Sequence, residues 1–174
     1  MGRMGDIAVM VGESGSFRVA RVTTDRDLPK MAAWMQGWWG DVEGYSPEEV
    51  LCHLRCGLRE ADLPQTFGLY REDGLNGNEL IGMYQITYGD LFCRPDLNPW
   101  LANVYIDKAH RGKGLGGFLL STVRQAACAA GVNELYLYTK HSSLYEKFSW
   151  EFFCEQDTFL DDRIQRIYRL RVKE

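Results

Sequence analysis

The apolar positions fall into short runs whose period changes along the chain. Residues 17–23 (FRVARVT) alternate in part, as a half-buried strand would. Leu28, Met31, Ala32, Met35 and Trp38 then recur at helical spacing behind Thr24 or Asp25 as cap, and Gly37 and Gly40 weaken the end of that helix. Ser46-Pro47-Glu48-Glu49 starts a second helix, with Ser at the cap, Pro in the first turn and Glu49 placed to close a capping box. Val50, Leu51 and Leu54 share one face of it, and it should end near Cys56 or Leu58.

Residues 67–71 and 80–87 read as two strands of a hairpin around a turn rich in Gly and Asn. A loop with Pro95 and Pro99 leads to a strand over residues 100–106. Residues 114–130 form one helix with Leu115, Phe118, Leu119, Val123, Ala126 and Ala127 inward, and Gly131 stops it. A strand follows at 134–139, then a short helix at 143–150 with Leu144 and Phe148 on its core face. Residues 151–158 and 164–172 make a last antiparallel pair. Only residues 100–139 contain a β-α-β crossover, so the fold class is α+β with a mixed, mostly antiparallel sheet and flanking helices, and not a doubly wound one.

Length and charge narrow this picture. The 174 residues suit one domain, and 45% apolar composition supports a sizeable core. We expect an N-terminal arm or extra strand over residues 1–16 and a single domain over 17–174. The apolar run from Ile7 to Val11 is too short for a membrane span or a signal h-region, and reads as a short strand or a docking arm. A net charge of −4 argues against a general nucleic-acid grip, which needs a basic face. Five scattered cysteines are not a disulfide framework, and Cys52, His53 and Cys56 lack a second pair at zinc-finger spacing. No metal, no membrane segment and a reducing, cytoplasmic setting are therefore expected. Five Trp, nine Tyr and eight Phe are rich for this length.

The stretch from His110 to Gly117 (HRGKGLGG) joins a strand to a helix. Unpaired N–H groups, the helix dipole, Arg111 and Lys113 would together suit a phosphate. A tight solvated loop is the plain alternative. Gly112, Gly114 and Gly117 also fit a dinucleotide fingerprint, with Glu134 at the usual distance. But residues 107–110 separate these glycines from the strand, Glu134 opens rather than closes the next strand, and too little chain remains for further β-α-β units. A Walker A loop fails, because Lys113 is followed by Gly114.

Arg111-x-x-Gly114-x-Gly116 within PWLANVYIDKAHRGKGLGGFLL, followed by ELYLYT and SLYEKFSW, resembles the GNAT N-acetyltransferase superfamily over residues 99–153. The resemblance implies acetyl-coenzyme A (acetyl-CoA) as co-substrate, with its pyrophosphate on the backbone of Arg111, Gly112, Lys113, Gly114, Leu115 and Gly116. Its pantetheine arm would pair with Val104, Tyr105 and Ile106, where a backbone N–H can polarise the thioester carbonyl. Asn103 is the candidate for the bulge that opens this strand from the next. Tyr145 aligns with the family's general acid, and Ser149 stands where the family usually has Gly. The implied reaction is direct attack by a primary amine. A Cys-linked route is disfavoured, since no His accompanies Cys93 or Cys154 and Cys128 falls mid-helix.

The glutamate base that some members carry is replaced by Trp100. Asp41, Glu43, Asp90 and Asp96, or a water held by Tyr84, Tyr88 or His141, are the candidates. Trp38, Trp39, Asp41, Tyr45, Tyr84 and Trp100 are the expected acceptor wall, since aromatics beside carboxylates suit an ammonium. A structural aromatic cluster is the plain alternative. The acceptor is an amine of unknown identity, small or on a peptide or protein. A non-catalytic acyl-CoA sensor or subunit is the other reading of the same slot. By analogy, the Ile7 to Val11 strand and the last hairpin are candidate contacts of a homodimer.

Overall fold

The computed structural model describes residues 6–12, 15–73, 77–160 and 163–173. Eight strands form one sheet: β1 (Asp6–Gly12), β2 (Gly15–Arg21), β3 (Gln65–Asp73), β4 (Gly77–Thr87), β5 (Trp100–Ile106), β6 (Glu134–Thr139), β7 (Glu151–Asp157) and β8 (Ile164–Arg171). Their spatial order is β1-β2-β3-β4-β5-β6-β8-β7. Every neighbouring pair is antiparallel except β5 and β6, which run parallel through the one long crossover. The α+β class holds, and the run from Ile7 to Val11 lies in an edge strand that pairs with β2.

Alternation along the strands sorts side chains to two faces. One face carries α1 (Leu28–Met35) and α2 (Pro47–Cys56), whose Leu28, Met31, Met35, Val50 and Leu54 pack on Ala20, Leu80 and Met83. The capping box at Ser46 and Glu49 forms in full, and hydrogen bonds from Ser46 hold the Glu49 carboxyl below its ordinary range. The other face carries α3 (Leu115–Ser121) and α4 (Val123–Ala129), packed on Val19, Leu69 and Tyr84.

Three helical segments differ from expectation. The first helix does not fray at Gly37. It widens into a π turn, Gln36–Gly40, and ends after one α turn, Asp41–Glu43, at Gly44 with φ 78°. At Gly40 a Cβ would lie 3.1 Å from Val50 Cγ2, a tight approach where α2 passes. The long helix tightens at Thr122, whose hydroxyl donates to Leu119 O at 2.8 Å and lies 3.3 Å from Tyr84 Oη. The short helix is a 3₁₀ turn, Tyr145–Phe148, in which residues three apart eclipse. Phe148 therefore keeps the expected core side, but Tyr145 joins it there and Leu144 is left 40% exposed.

Ser149 follows that turn with φ 65°. The left-handed region costs an L-residue roughly 1–2 kcal/mol, and glycine returns roughly 0.5–1 kcal/mol of unfolded-chain entropy. Ser149→Gly should therefore stabilise the fold by about 0.5 kcal/mol, seen as a higher urea midpoint at unchanged slope. Gly57 is buried at the end of α2, and a methyl there would overlap Thr66 Oγ1. Gly57→Ala should cost about 1–3 kcal/mol through overpacking, read by the same titration.

Candidate active site

The geometry starts at the strand pair that does not close. β5 and β6 pair at Trp100 with Tyr136, where Tyr136 N also donates to Pro99 O at 3.0 Å. Beyond that contact the two strands diverge. Trp100 holds the closed end: it is fully buried, its indole N–H donates to Leu97 O at 2.6 Å, and its ring meets those of Tyr136 and Tyr138. On its other side β5 shifts register against β4 between Ala102 and Tyr105. The extra residue bends the strand, and Asn103 takes φ 53° there, a left-handed conformation that Asn tolerates better than most residues.

The divergence opens into a cleft of about 890 Å³. Val104, Tyr105 and Ile106 line it along the free edge of β5, and Arg111, Gly112, Gly114, Leu115 and Gly116 line it at the turn that follows. Of the turn residues expected to hold a pyrophosphate, only Lys113 is outside this lining, and it is exposed. Gly112 and Gly114 have φ 77° and 75°, values that only glycine adopts readily. Cβ atoms at Gly112, Gly114 and Gly116 would meet nothing within 4 Å, so the space over the turn is open to a ligand. Backbone N–H groups facing such a concavity, together with the cationic side chains at its rim, suit a diphosphate.

Arg111 is held in place rather than left waving. Its Nε donates to Ile106 O at 2.9 Å and its guanidinium lies 5.3 Å from the Tyr105 ring centre. Trp34 and Trp38 meet the same ring at 5.1 and 6.0 Å. The cleft is thus walled by α1, with Ala33, Trp34, Gly37 and Trp38 on one bank and His141 and Leu144 on the other. Lys108 and His110 also face it, and these two, with Trp34 and Leu144, are absent from the sequence-derived site. The only available signal for the cations was their place in the charged turn before Arg111.

Tyr145 lies one residue beyond Leu144, half-buried, with its ring against Trp150 and Tyr168. Burial raises its pKa, so the phenol stays protonated at neutral pH. Its hydroxyl has no hydrogen-bond partner among the described residues.

The expected acceptor residues separate into three groups. Trp38 lines the cleft and is 50% exposed. Trp39, Asp41 and Tyr45 sit at the neighbouring π turn: Trp39 meets Tyr45 edge-on at 5.7 Å, and Asp41 accepts from Gln36 Nε2 at 2.6 Å. Tyr84 and Trp100 do not belong to the wall. Both are fully buried, and the Tyr84 hydroxyl is engaged with Thr122 on the opposite face.

Among the candidate bases, Asp96 is drawn into a two-pronged pair with Arg94 at 2.7 and 2.8 Å, which holds its carboxyl below the usual range. Asp90 moves the other way. The residue keeps exposed surface, yet enclosure of its carboxyl, and then the Glu43 charge, push it up to about 7. Tyr138 on β6 is raised by burial first and then by the charges of Asp90 and Glu43, which places all three in one electrostatic neighbourhood. None of the five cysteines lines the cleft. Among the described residues no three metal-binding side chains gather, and no helix is long and apolar enough to cross a membrane.

The family model for the GNAT acetyltransferase domain matches residues 65–151, half of the chain. No curated protein matches. Solved structures share the fold at low identity. An N-acetyltransferase from Staphylococcus aureus Mu50 superposes at TM-score 0.66 with 16% identity, covering 90% of this chain and 99% of that one. A GNAT-family acetyltransferase from Streptococcus pneumoniae gives 0.66 with 18% identity, 90% and 99% covered. A ribosomal L7/L12 alpha-N-protein acetyltransferase in complex with coenzyme A gives 0.67 with 9% identity, 94% and 98% covered. With that model matching half of its length, the protein belongs to the GNAT acetyltransferase family, and it is an acyltransferase.

Proposed function

We propose that the protein is an acetyl-CoA-dependent N-acetyltransferase acting on a primary amine, built as one catalytic domain over residues 17–174 with β1 as an added edge strand. The observation that carries this reading is the unpaired edge of β5, followed through the short turn at residues 107–110 by the glycine turn. An extended pantetheine arm can add to such an edge as a strand would, and its diphosphate then falls on the N–H groups at Gly112 to Gly116. Acetyl-CoA supplies an activated acetyl group and a thiolate leaving group.

The chain's own residues do the rest. The free edge at Val104 and Tyr105 offers backbone N–H to the thioester carbonyl, an oxyanion-hole role. Asp90 lies outside the cleft lining, but its carboxyl is pushed up to about 7, and it is the group assigned to take the proton from the incoming ammonium; the Glu43 charge acting on it favours a cationic acceptor. The amine attacks directly, consistent with the absence of cysteine from the cleft lining. Tyr145, protonated and with its hydroxyl uncommitted, donates to the departing thiolate.

The test is thiol release from acetyl-CoA across a panel of small amines and peptide N-termini, after a thermal-shift measurement with acetyl-CoA alone. Tyr145→Phe should lower kcat by about 10²–10⁴ while the acetyl-CoA thermal shift stays as in wild type. Full activity in that variant would remove Tyr145 from the mechanism.

The Asp90 assignment carries a pH dependence. A base near 7 loses its free form as pH falls, so kcat/KM should drop about tenfold per unit below that point, and Asp90→Asn should abolish this limb along with most activity. The folded carboxyl holds its proton to about 7 against an ordinary 3.8. Its contribution to stability is therefore present in acid and lost as pH rises through about 7. Asp90→Asn should flatten that slope in urea titrations from pH 4 to 8.

A further inference from the structure

The π turn Gln36–Gly40 adds a residue to the helix just where that helix passes the β5 bulge. Such turns re-aim side chains. Here neighbouring indoles reach two different points of one strand. Trp38 stays with Trp34 on the Tyr105 ring, while the Trp39 N–H donates to Asn103 Oδ1 at 2.9 Å. Asn103 passes the connection inward. Its amide donates to Gln85 Oε1 at 2.7 Å, and Gln85 Nε2 donates to Thr66 Oγ1 at 2.9 Å. Gln85 and Thr66 are buried at 1% and 0% exposure, and Thr66 N donates to Gly57 O at the end of α2.

The chain Trp39–Asn103–Gln85–Thr66 therefore ties the acceptor-side helix, the bulge and two central strands together. Buried polar chains of this kind are costly unless complete, and once complete they hold one arrangement. Asn suits the central place on three counts. It accepts from the indole, donates to the glutamine, and tolerates φ 53°.

We propose that Asn103 is a positioning residue that locks the π turn to the β5 bulge, so that the acceptor wall and the strand edge receiving the acyl group keep one spacing. The proposal rests on the acetyl-CoA reading of the slot. It predicts that the cofactor's acyl end is sensed at Trp39 through the bulge, and that breaking the bridge harms use of the amine more than binding of acetyl-CoA.

The test compares Trp39→Phe, Asn103→Gly and the double variant. Asn103→Gly keeps the left-handed backbone available and removes only the bridge. In the indole N–H spectrum, the Trp39 signal is the one of five missing from Trp39→Phe. In wild type it should exchange slowly with solvent, and in Asn103→Gly at least about tenfold faster, as expected for a lost, partly buried hydrogen bond. Equal exchange in both would overturn the bridge. Acetyl-CoA should shift this signal in wild type but not in Asn103→Gly, although both are thermally stabilised by it. A wild type that is stabilised by acetyl-CoA with no change at Trp39 refutes the coupling. With the best amine of the panel, each single variant should raise the amine KM about tenfold and leave the acetyl-CoA KM within about twofold, and the double variant should be no worse than the poorer single. Additive losses, or equal losses for both substrates, would also overturn it. Failure of acetyl-CoA to stabilise wild type would instead defeat the functional reading, and the exchange rates would still decide the bridge.

Discussion

Backbone hydrogen bonding within a sheet is close to obligatory, and this molecule leaves it unmade at one place in the middle of its sheet. β5 and β6 pair once, at Trp100 and Tyr136, and then part. Buried N–H and C=O groups without partners are costly, so the gap has to face either solvent or a ligand. Everything around it serves to keep it open. Trp100 pins the closed end, the bulge at Asn103 turns β5 away, and α1 with the π turn on one bank faces His141 and Leu144 on the other. A fully paired sheet of the same strands would have no cleft and no exposed edge for an extended ligand.

Charge is distributed with the same locality. The chain as a whole carries −4, which in bulk disfavours polyanions. Lys108 and Arg111 nonetheless line the cleft at the glycine turn, and Arg111 is braced on Tyr105 and the Ile106 carbonyl. Glu43 and Asp90 act on each other elsewhere, and the charges of both reach Tyr138. Segregating the two signs lets one small domain address an anionic ligand and a cationic one, since each field is felt mainly over the Debye length.

The aromatic surplus divides between scaffold and site. Trp100, Tyr84 and Tyr168 are fully buried core. Trp34 and Trp38 wall the cleft, and Trp39 serves as a hydrogen-bond donor to the bulge. Residue type alone could not sort these. Trp38 and Trp39 are adjacent and chemically identical, and the π turn sends them to different partners. The same limit explains Leu144 and Tyr145, whose faces exchanged because the helix expected there is a 3₁₀ turn with a different period.

Local pattern alone was enough to place the strands, the capping box at Ser46, the helix stop at Gly131 and the turn Arg111-x-x-Gly114-x-Gly116. Each depends on neighbours within a few residues, through alternation, caps or glycine's access to positive φ. It took long-range packing to put β8 between β6 and β7, to make Tyr84 and Trp100 core, to bring Asp90 under the charge of Glu43, and to join Trp39 to Asn103. Those facts depend on contacts between residues tens of positions apart. Side-chain environment, and with it burial, pKa and hydrogen-bond partner, is fixed only when such distant segments pack together.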